Sequence, residues 1–215
     1  MSFYTKELAM TGMIRPMTLA VTGLNTSIVK GVMSLISPQE DVVRIESRTE
    51  IPMVERYLFA AGFLLGKNIW VQSDEQVAEA FRVNASAPIA MCDWILKHND
   101  HARICVIGSE SGFAWGFDGA YAGAKAALHC YVENKPLRPK QQLVCIAPGI
   151  IEDAGMTERR MDKENLEKRR KDHPKHRFLT SDEVAKLAHF LLYVDQGYIS
   201  NVVIRMNGGD HARAR

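Results

Sequence analysis

Short β-rich runs alternate with helix-periodic stretches along most of the chain, and this alternation restricts the fold more than any other feature. The β-rich runs are Met17–Thr22, Asp41–Glu46, Tyr57–Ala61, Ile104–Ile107, Leu143–Ile146 and Val202–Arg205. After the first, Ser27–Ile36 sets Ile28, Val32, Leu35 and Ile36 on one helical face. Asp74–His98, Ala120–Asn134 and Ser181–Val194 read as further helices. Ser73 with Gln76 predicts a capping box for the first of these, while Ser181 with Val184 predicts only half a box for the last. Strands separated by helices make βαβ units, and βαβ units make a parallel sheet with helices on its faces. Strands buried on both faces read as continuous apolar runs, as Ile104–Ile107 does. The fold class is therefore α/β.

The length of 215 residues and the lack of a linker or repeat predict a single domain over 1–215. A hydrophobic share of 47% and a charged share of 24% exclude disordered, collagenous and disulfide-scaffold chains. A net charge of +2 is too mild to make nucleic acid or an anionic membrane the main partner. Cys92, Cys105, Cys130 and Cys145 form no CxxC pair and predict free thiols in a reducing compartment. His173 and His176 flank Pro174 in a basic stretch with no completing ligand, so no metal site is expected. No apolar h-region opens the chain and no apolar run reaches about 18 residues, which predicts a cytoplasmic protein without a membrane span. The segment Glu158–Arg177 is dense in charge and reads either as a solvated helix or as a mobile lid or subunit contact.

Chemistry concentrates on the Ala120–Asn134 helix. Tyr121 and Lys125 are four residues apart and share a face. An ammonium beside a phenol favours the phenolate, predicts a lowered tyrosine pKa, and suits acid/base work on a carbonyl or alcohol. Ser109 ends the preceding strand in Ile-Gly-Ser-Glu-Ser-Gly-Phe, twelve residues before Tyr121, with Ser111 as its rival. Asn84 lies in Phe-Arg-Val-Asn-Ala-Ser-Ala-Pro inside the long helix, and Pro148-Gly149 ends the strand after Tyr121 and Lys125.

In this order and spacing, from about Arg56 to Gly209, the chain resembles the short-chain dehydrogenase/reductase family. The resemblance implies a Rossmann-like doubly wound parallel sheet. It implies Tyr121 as the proton donor to a carbonyl and Ser109 as a hydrogen bond to the substrate oxygen. Lys125 would lower the Tyr121 pKa and hold the nicotinamide ribose, and Asn84 would hold a water joining Lys125 to solvent. The serine preferred is Ser109, because the family's glycine follows three residues later, as Gly112 does.

The cofactor end departs from the family. The usual Thr-Gly-x-x-x-Gly-x-Gly stands here as Thr22-Gly23-Leu24-Asn25-Thr26-Ser27-Ile28-Val29, with Ser27 and Val29 in place of two glycines. Ser27 is expected to cap the helix and donate to a phosphate, and Val29 to crowd the helix–strand contact. The family's Asn-x-Ala-Gly is Phe59-Ala60-Ala61-Gly62. About 40 residues separate Gly23 from Gly62, where relatives carry roughly 30 more. One βα unit is therefore expected to be missing on the adenine side, leaving six strands rather than seven. The cofactor contacts implied are Thr22, Gly23, Asn25, Ser27, Ile28, Ala61, Gly62, Pro148, Gly149 and Ile151, besides Tyr121 and Lys125. Ser47-Arg48 resembles the family's NADP-binding arrangement, and Glu46 keeps NAD open.

The expected function is NADP(H)-dependent reduction of a small-molecule carbonyl or oxidation of an alcohol. The alternative is a catalytically weak nucleotide-binding or regulatory module on the same fold. Residues 1–16 would be an N-terminal extension, and 155–178 the variable substrate lid. Phe113, Trp115 and Phe117 would line an aromatic pocket or a core or dimer contact. The family's habit implies a homodimer or homotetramer.

Overall fold

The structure, a computed structural model, describes residues 15–47, 49–114, 116–158 and 162–212. Most of the expected N-terminal extension, together with Arg48 and Trp115, lies outside the described residues. The chain runs β1 (Arg15–Thr22), α1 (Ser27–Met33), β2 (Asp41–Arg44), β3 (Val54–Phe59), α2 (Asp74–Phe81), α3 (Ala87–His98), β4 (Arg103–Ile107), α4 (Gly119–Asn134), β5 (Gln142–Pro148), α5 (Gly155–Glu158), α6 (Lys163–Asp172), α7 (Ser181–His189) and β6 (Val202–Met206). Six strands form one sheet in the order β2-β1-β3-β4-β5-β6, and every neighbouring pair is parallel.

One core cluster joins α3 and α4 to the sheet through Met91, Ile95, Val106, Leu128 and Val132. The opposite cluster joins α1 and α7 through Val29, Val32, Val184, Ala188 and Leu191. The order reverses between β1 and β3, so the crevice beyond their carboxyl ends is where such sheets take ligands.

The missing βα unit is visible as a direct loop from β2 to β3. Its Ile45 and Ile51 are buried. The Tyr57 hydroxyl staples the loop by donating to the Pro52 carbonyl at 2.9 Å and accepting from the Val54 N–H at 3.0 Å. Asn99 adds a bond from Nδ2 to the Val54 carbonyl at 2.6 Å.

The expected long helix Asp74–His98 is continuous but widens into one π turn at Arg82–Ser86. Pro88 explains the widening. It carries no N–H for the Asn84 carbonyl, and its ring would strike that carbonyl in regular α geometry. The Ser73–Gln76 capping box is present. Two expected caps shift by one residue. Thr180, not Ser181, caps α7, and Glu183 completes a full box. Thr26, not Ser27, caps α1 by accepting from the Val29 N–H at 3.3 Å. Val29 is fully buried in the core between α1 and α7. Close helix approach falls instead at Gly31, where a Cβ would lie 2.7 Å from the Ala185 Cβ.

Candidate active site

β4 delivers Ser109 at its carboxyl end, and α4 delivers Tyr121 in its first turn and Lys125 one turn on. Ser109 lies beside the Tyr121 phenol, close enough for its hydroxyl to act on the phenol's acidity. Its Oγ also accepts from the Ser111 N–H at 3.2 Å, capping the short turn Glu110–Gly112. Ser109, rather than Ser111, is thus the serine brought to Tyr121. Lys125 is buried, and its Nζ donates to the Ile107 carbonyl at 2.7 Å.

The phenol's acidity runs opposite to expectation. Burial raises the Tyr121 pKa above its usual value, and the neighbouring Ser109 hydroxyl pulls only partly against it. Asp118 adds a smaller upward push. Lys125 does not reverse this, because its ammonium points at Ile107 and lies 5.8 Å from the Tyr121 ring centroid. Burial in turn brings the Lys125 ammonium from 10.5 down to about 8.

Asn84 is fully buried in the π turn. Its Nδ2 donates to the carbonyls of Phe63 at 2.6 Å and Ala80 at 2.9 Å, and its Oδ1 accepts from the Phe63 N–H at 3.0 Å. The side chain is spent on locking the loop after β3, with both Nδ2 protons donated to main-chain carbonyls.

Gly23 has φ +70°, and a Cβ there would stand 2.7 Å from the Ala61 N atom. Only glycine lets the first turn lie this close to the Ala61–Gly62 loop. Thr22 Oγ1 accepts from the Ala61 N–H at 3.2 Å and ties the two together. Asn25 is exposed in that turn, and the Ile28 side chain is buried. Ser47 forms a local turn with Thr49 through a 2.9 Å hydroxyl pair. Pro148 ends β5 beside Met206, and the Gly149 N–H donates to the Met206 carbonyl. Ile151 is buried and bridges Leu179 in parallel.

A cleft of about 260 Å³ opens between these loops, with Thr22, Gly23, Ala61 and Lys125 among its walls. Arg44, Glu46 and Arg82 line it as well. Arg82 was not among the sequence candidates; as a lone arginine before Val83-Asn84 it carries no motif. Asp118 was also missed. It is buried and accepts from the Tyr121 N–H at 3.1 Å, the Gly66 N–H at 3.0 Å and the Gln72 Nε2 at 3.0 Å, fastening α4 to the loop after β3. An aspartate three residues before Tyr121 is an N-cap signal that places the helix start one residue earlier than expected.

The charged segment is mostly a solvated helix, α6, with Arg170 paired to Glu152 and Glu167. Its Leu166 is buried. Met156 of α5 stands against Gly62, where an added Cβ would meet its Cε at 3.0 Å.

A family model described as enoyl-(acyl carrier protein) reductase matches residues 48–211. The chain belongs to the short-chain dehydrogenase/reductase family. Solved structures of this family share the fold. A Burkholderia thailandensis oxidoreductase has a TM-score of 0.80 at 18% identity, over 94% of this chain and 95% of its own. A Francisella tularensis short-chain dehydrogenase family protein has a TM-score of 0.79 at 19% identity, over 93% and 100%. ElxO with NADP bound has a TM-score of 0.79 at 16% identity, over 93% and 100%. No curated protein matches the chain. Among the described residues, no helix is long and apolar enough to cross a membrane, and no group of three or more His, Cys, Asp or Glu could hold a metal ion.

Proposed function

We propose that this oxidoreductase interconverts a carbonyl and an alcohol with NADP(H), using Tyr121 as the acid/base. The observation that carries the reading is the placement of Ser109 beside Tyr121, with the buried Lys125 one helical turn behind it. A raised phenol pKa keeps Tyr121 protonated at neutral pH, the form needed to donate to a carbonyl oxygen. Ser109 would hold that same oxygen in line. Lys125, held near 8, keeps its proton at neutral pH yet can exchange it. A water on the Asn84 main chain would return protons from solvent.

The nucleotide would supply the hydride when bound. The cleft suits a polyanionic dinucleotide, because Arg44, Arg82 and Lys125 oppose only Glu46 along its walls. Thr22, Gly23, Asn25, Ser27, Ile28, Ala61 and Gly62 would follow its phosphates and adenine ribose. Pro148, Gly149 and Ile151 would flank the nicotinamide. Ser47, Arg48 and Arg44 would favour the 2′-phosphate of NADP over NAD, and the NADP-bound ElxO shows that a protein of this fold takes that nucleotide. Residues 155–178 would form the substrate lid, with Met156 reaching Gly62. A homodimer or homotetramer is the proposed assembly.

A second reading, a nucleotide-binding module that turns over weakly, draws on the Lys125 bond to Ile107 and the two replaced glycines. Thermal unfolding with NADPH and NADH separates the cases from a protein that binds neither. A nucleotide at 100 times its Kd adds about 2.7 kcal/mol. No shift with either at millimolar concentration sinks both readings. A shift without turnover across a panel of carbonyls and alcohols leaves the module.

A further inference from the structure

His129 lies on α4 one turn beyond Lys125 and two beyond Tyr121, buried to 3% exposure. The Ser109 N–H donates to its Nε2 at 3.4 Å. A neutral imidazole that accepts at Nε2 must carry its proton on Nδ1. That Nδ1 is buried and has no hydrogen-bond partner. A leucine would fill the same space without stranding a polar atom, so what the imidazole adds here is the acceptor at Nε2.

The loop around Ser109 is moulded on this ring. A Cβ at Gly108 would stand 2.4 Å from Nε2, and one at Gly112 would stand 2.5 Å from Cε1. Phe113 closes the contact, with ring centroids 4.7 Å apart. The Arg205 guanidinium lies 4.4 Å over Phe113 and pairs with Glu110, so β6 clamps the loop from its other side.

We propose that His129 is a positioning residue for Ser109, its neutral ring fixing the serine's main chain so that the hydroxyl meets Tyr121 and the substrate oxygen. The proposal rests on the role given to Ser109 above. The charged and titratable groups around the ring are Lys125 on its own helix, Arg205 on β6, Glu110 on the loop and Cys145 on β5. Burial first, then Lys125 and Arg205, hold the imidazole down to about 4, so the acceptor persists at neutral pH.

The test combines ¹⁵N-histidine NMR of the wild-type protein with kinetics of His129→Leu and His129→Gln. The expected spectrum shows a neutral ring protonated at Nδ1 at pH 7. The expected kinetics show a kcat loss of about 10-fold for His129→Leu, with the nucleotide Kd unchanged, since small displacements of a catalytic group are costly. His129→Gln, which restores an acceptor, should recover part of the loss. An Nε2-protonated ring overturns the proposal whether or not the protein turns over. So does wild-type kcat in His129→Leu. Should His129→Leu fail to fold, the spectrum and His129→Gln decide. A wild-type protein with the Nδ1 tautomer but no turnover refutes the oxidoreductase reading and leaves the Ser109 support standing as a structural fact.

Discussion

The centre of the sheet and its β2 edge are built to different standards. β5 is buried at all of its residues, whereas the four of β2 are half-buried or exposed. At the centre three buried polar side chains hold distant backbone: Lys125 holds Ile107, Asn84 holds Phe63, and His129 holds Ser109. At the edge the β2 cation pairs with a sequence neighbour, Arg44 with Glu46. A central strand pairs on both sides, so losing one would break two ladders. An edge unit can be replaced by a loop and a few anchoring bonds, as Tyr57 and Asn99 show. The departure from the family's length therefore falls where the fold can absorb it, away from Ser109, Tyr121 and Lys125.

Tyr121→Phe tests the centre most sharply. Removing an acid/base of this kind costs about 10²–10⁴-fold in rate. The ring still packs, so the melting temperature should stay close to wild type. Turnover at wild-type rate would refute the assigned proton donor. Calorimetry alongside a carbonyl panel reads both quantities.

Gly108→Ala strikes the same region through packing. Its Cβ would fall 2.4 Å from His129 Nε2 and 2.6 Å from Cys145 Sγ, and overpacking of this kind costs about 1–3 kcal/mol. Denaturant titration should show the loss, with kcat falling too because Ser109 follows directly. An unchanged midpoint would mean that the centre is looser than its contacts indicate.

Tyr57→Phe asks the matching question of the edge. It removes the acceptor of the Val54 N–H and the donor to Pro52, and orphaned buried groups cost about 1–3 kcal/mol. Stability should fall while kcat at saturating nucleotide holds. A fall in kcat with no loss of stability would erase the distinction between edge and centre.

The centre also carries a pH signature. In the folded state His129 is held to about 4 against a usual 6.5, so between these values the unfolded chain binds more protons. Stability from this group is complete above pH 6.5 and is lost as pH falls toward 4. His129→Leu should flatten the acid slope of the melting temperature in that window. A slope identical to wild type would show that the ring is not held neutral.

What could be read in advance follows the same division. Apolar runs mark strands because parallel strands covered on both faces are mostly apolar, and the Asn84, Ser109, Tyr121 and Lys125 set is legible because its members keep the spacings of the family's pattern. The sign of the Tyr121 pKa was not legible. Four residues on a helix bring Lys125 to the same face, but only the fold shows its ammonium turned to Ile107 and the phenol partly withdrawn from solvent. The caps at Thr26 and Thr180 were misplaced by one residue, because adjacent Thr-Ser pairs offer two equivalent hydroxyls and only backbone dihedrals choose between them. His129 escaped because its partner Ser109 is twenty residues away, and Asp118 because Gly66 and Gln72, which it also holds, are distant in sequence; Arg82 shows its place only through the cleft it lines.

The smallest effect belongs to the edge. Arg44 is more than half exposed and meets Glu46 at 3.7 Å, a surface pair worth about 0–1 kcal/mol before solvent screening. Arg44→Ala should therefore leave the melting temperature of the free protein within error. Its guanidinium lines the cleft, so it should matter when a 2′-phosphate is present. NADPH affinity should fall by a few-fold, with the loss shrinking as salt is raised, because an exposed ion contact is screened over about 10 Å at 0.1 M. NADH affinity should be unchanged or slightly better. Isothermal titration with both nucleotides at two salt concentrations reads the difference. Equal losses for NADPH and NADH would mean that Arg44 holds the shared part of the nucleotide, and that the shortened edge has lost its preference for the extra phosphate.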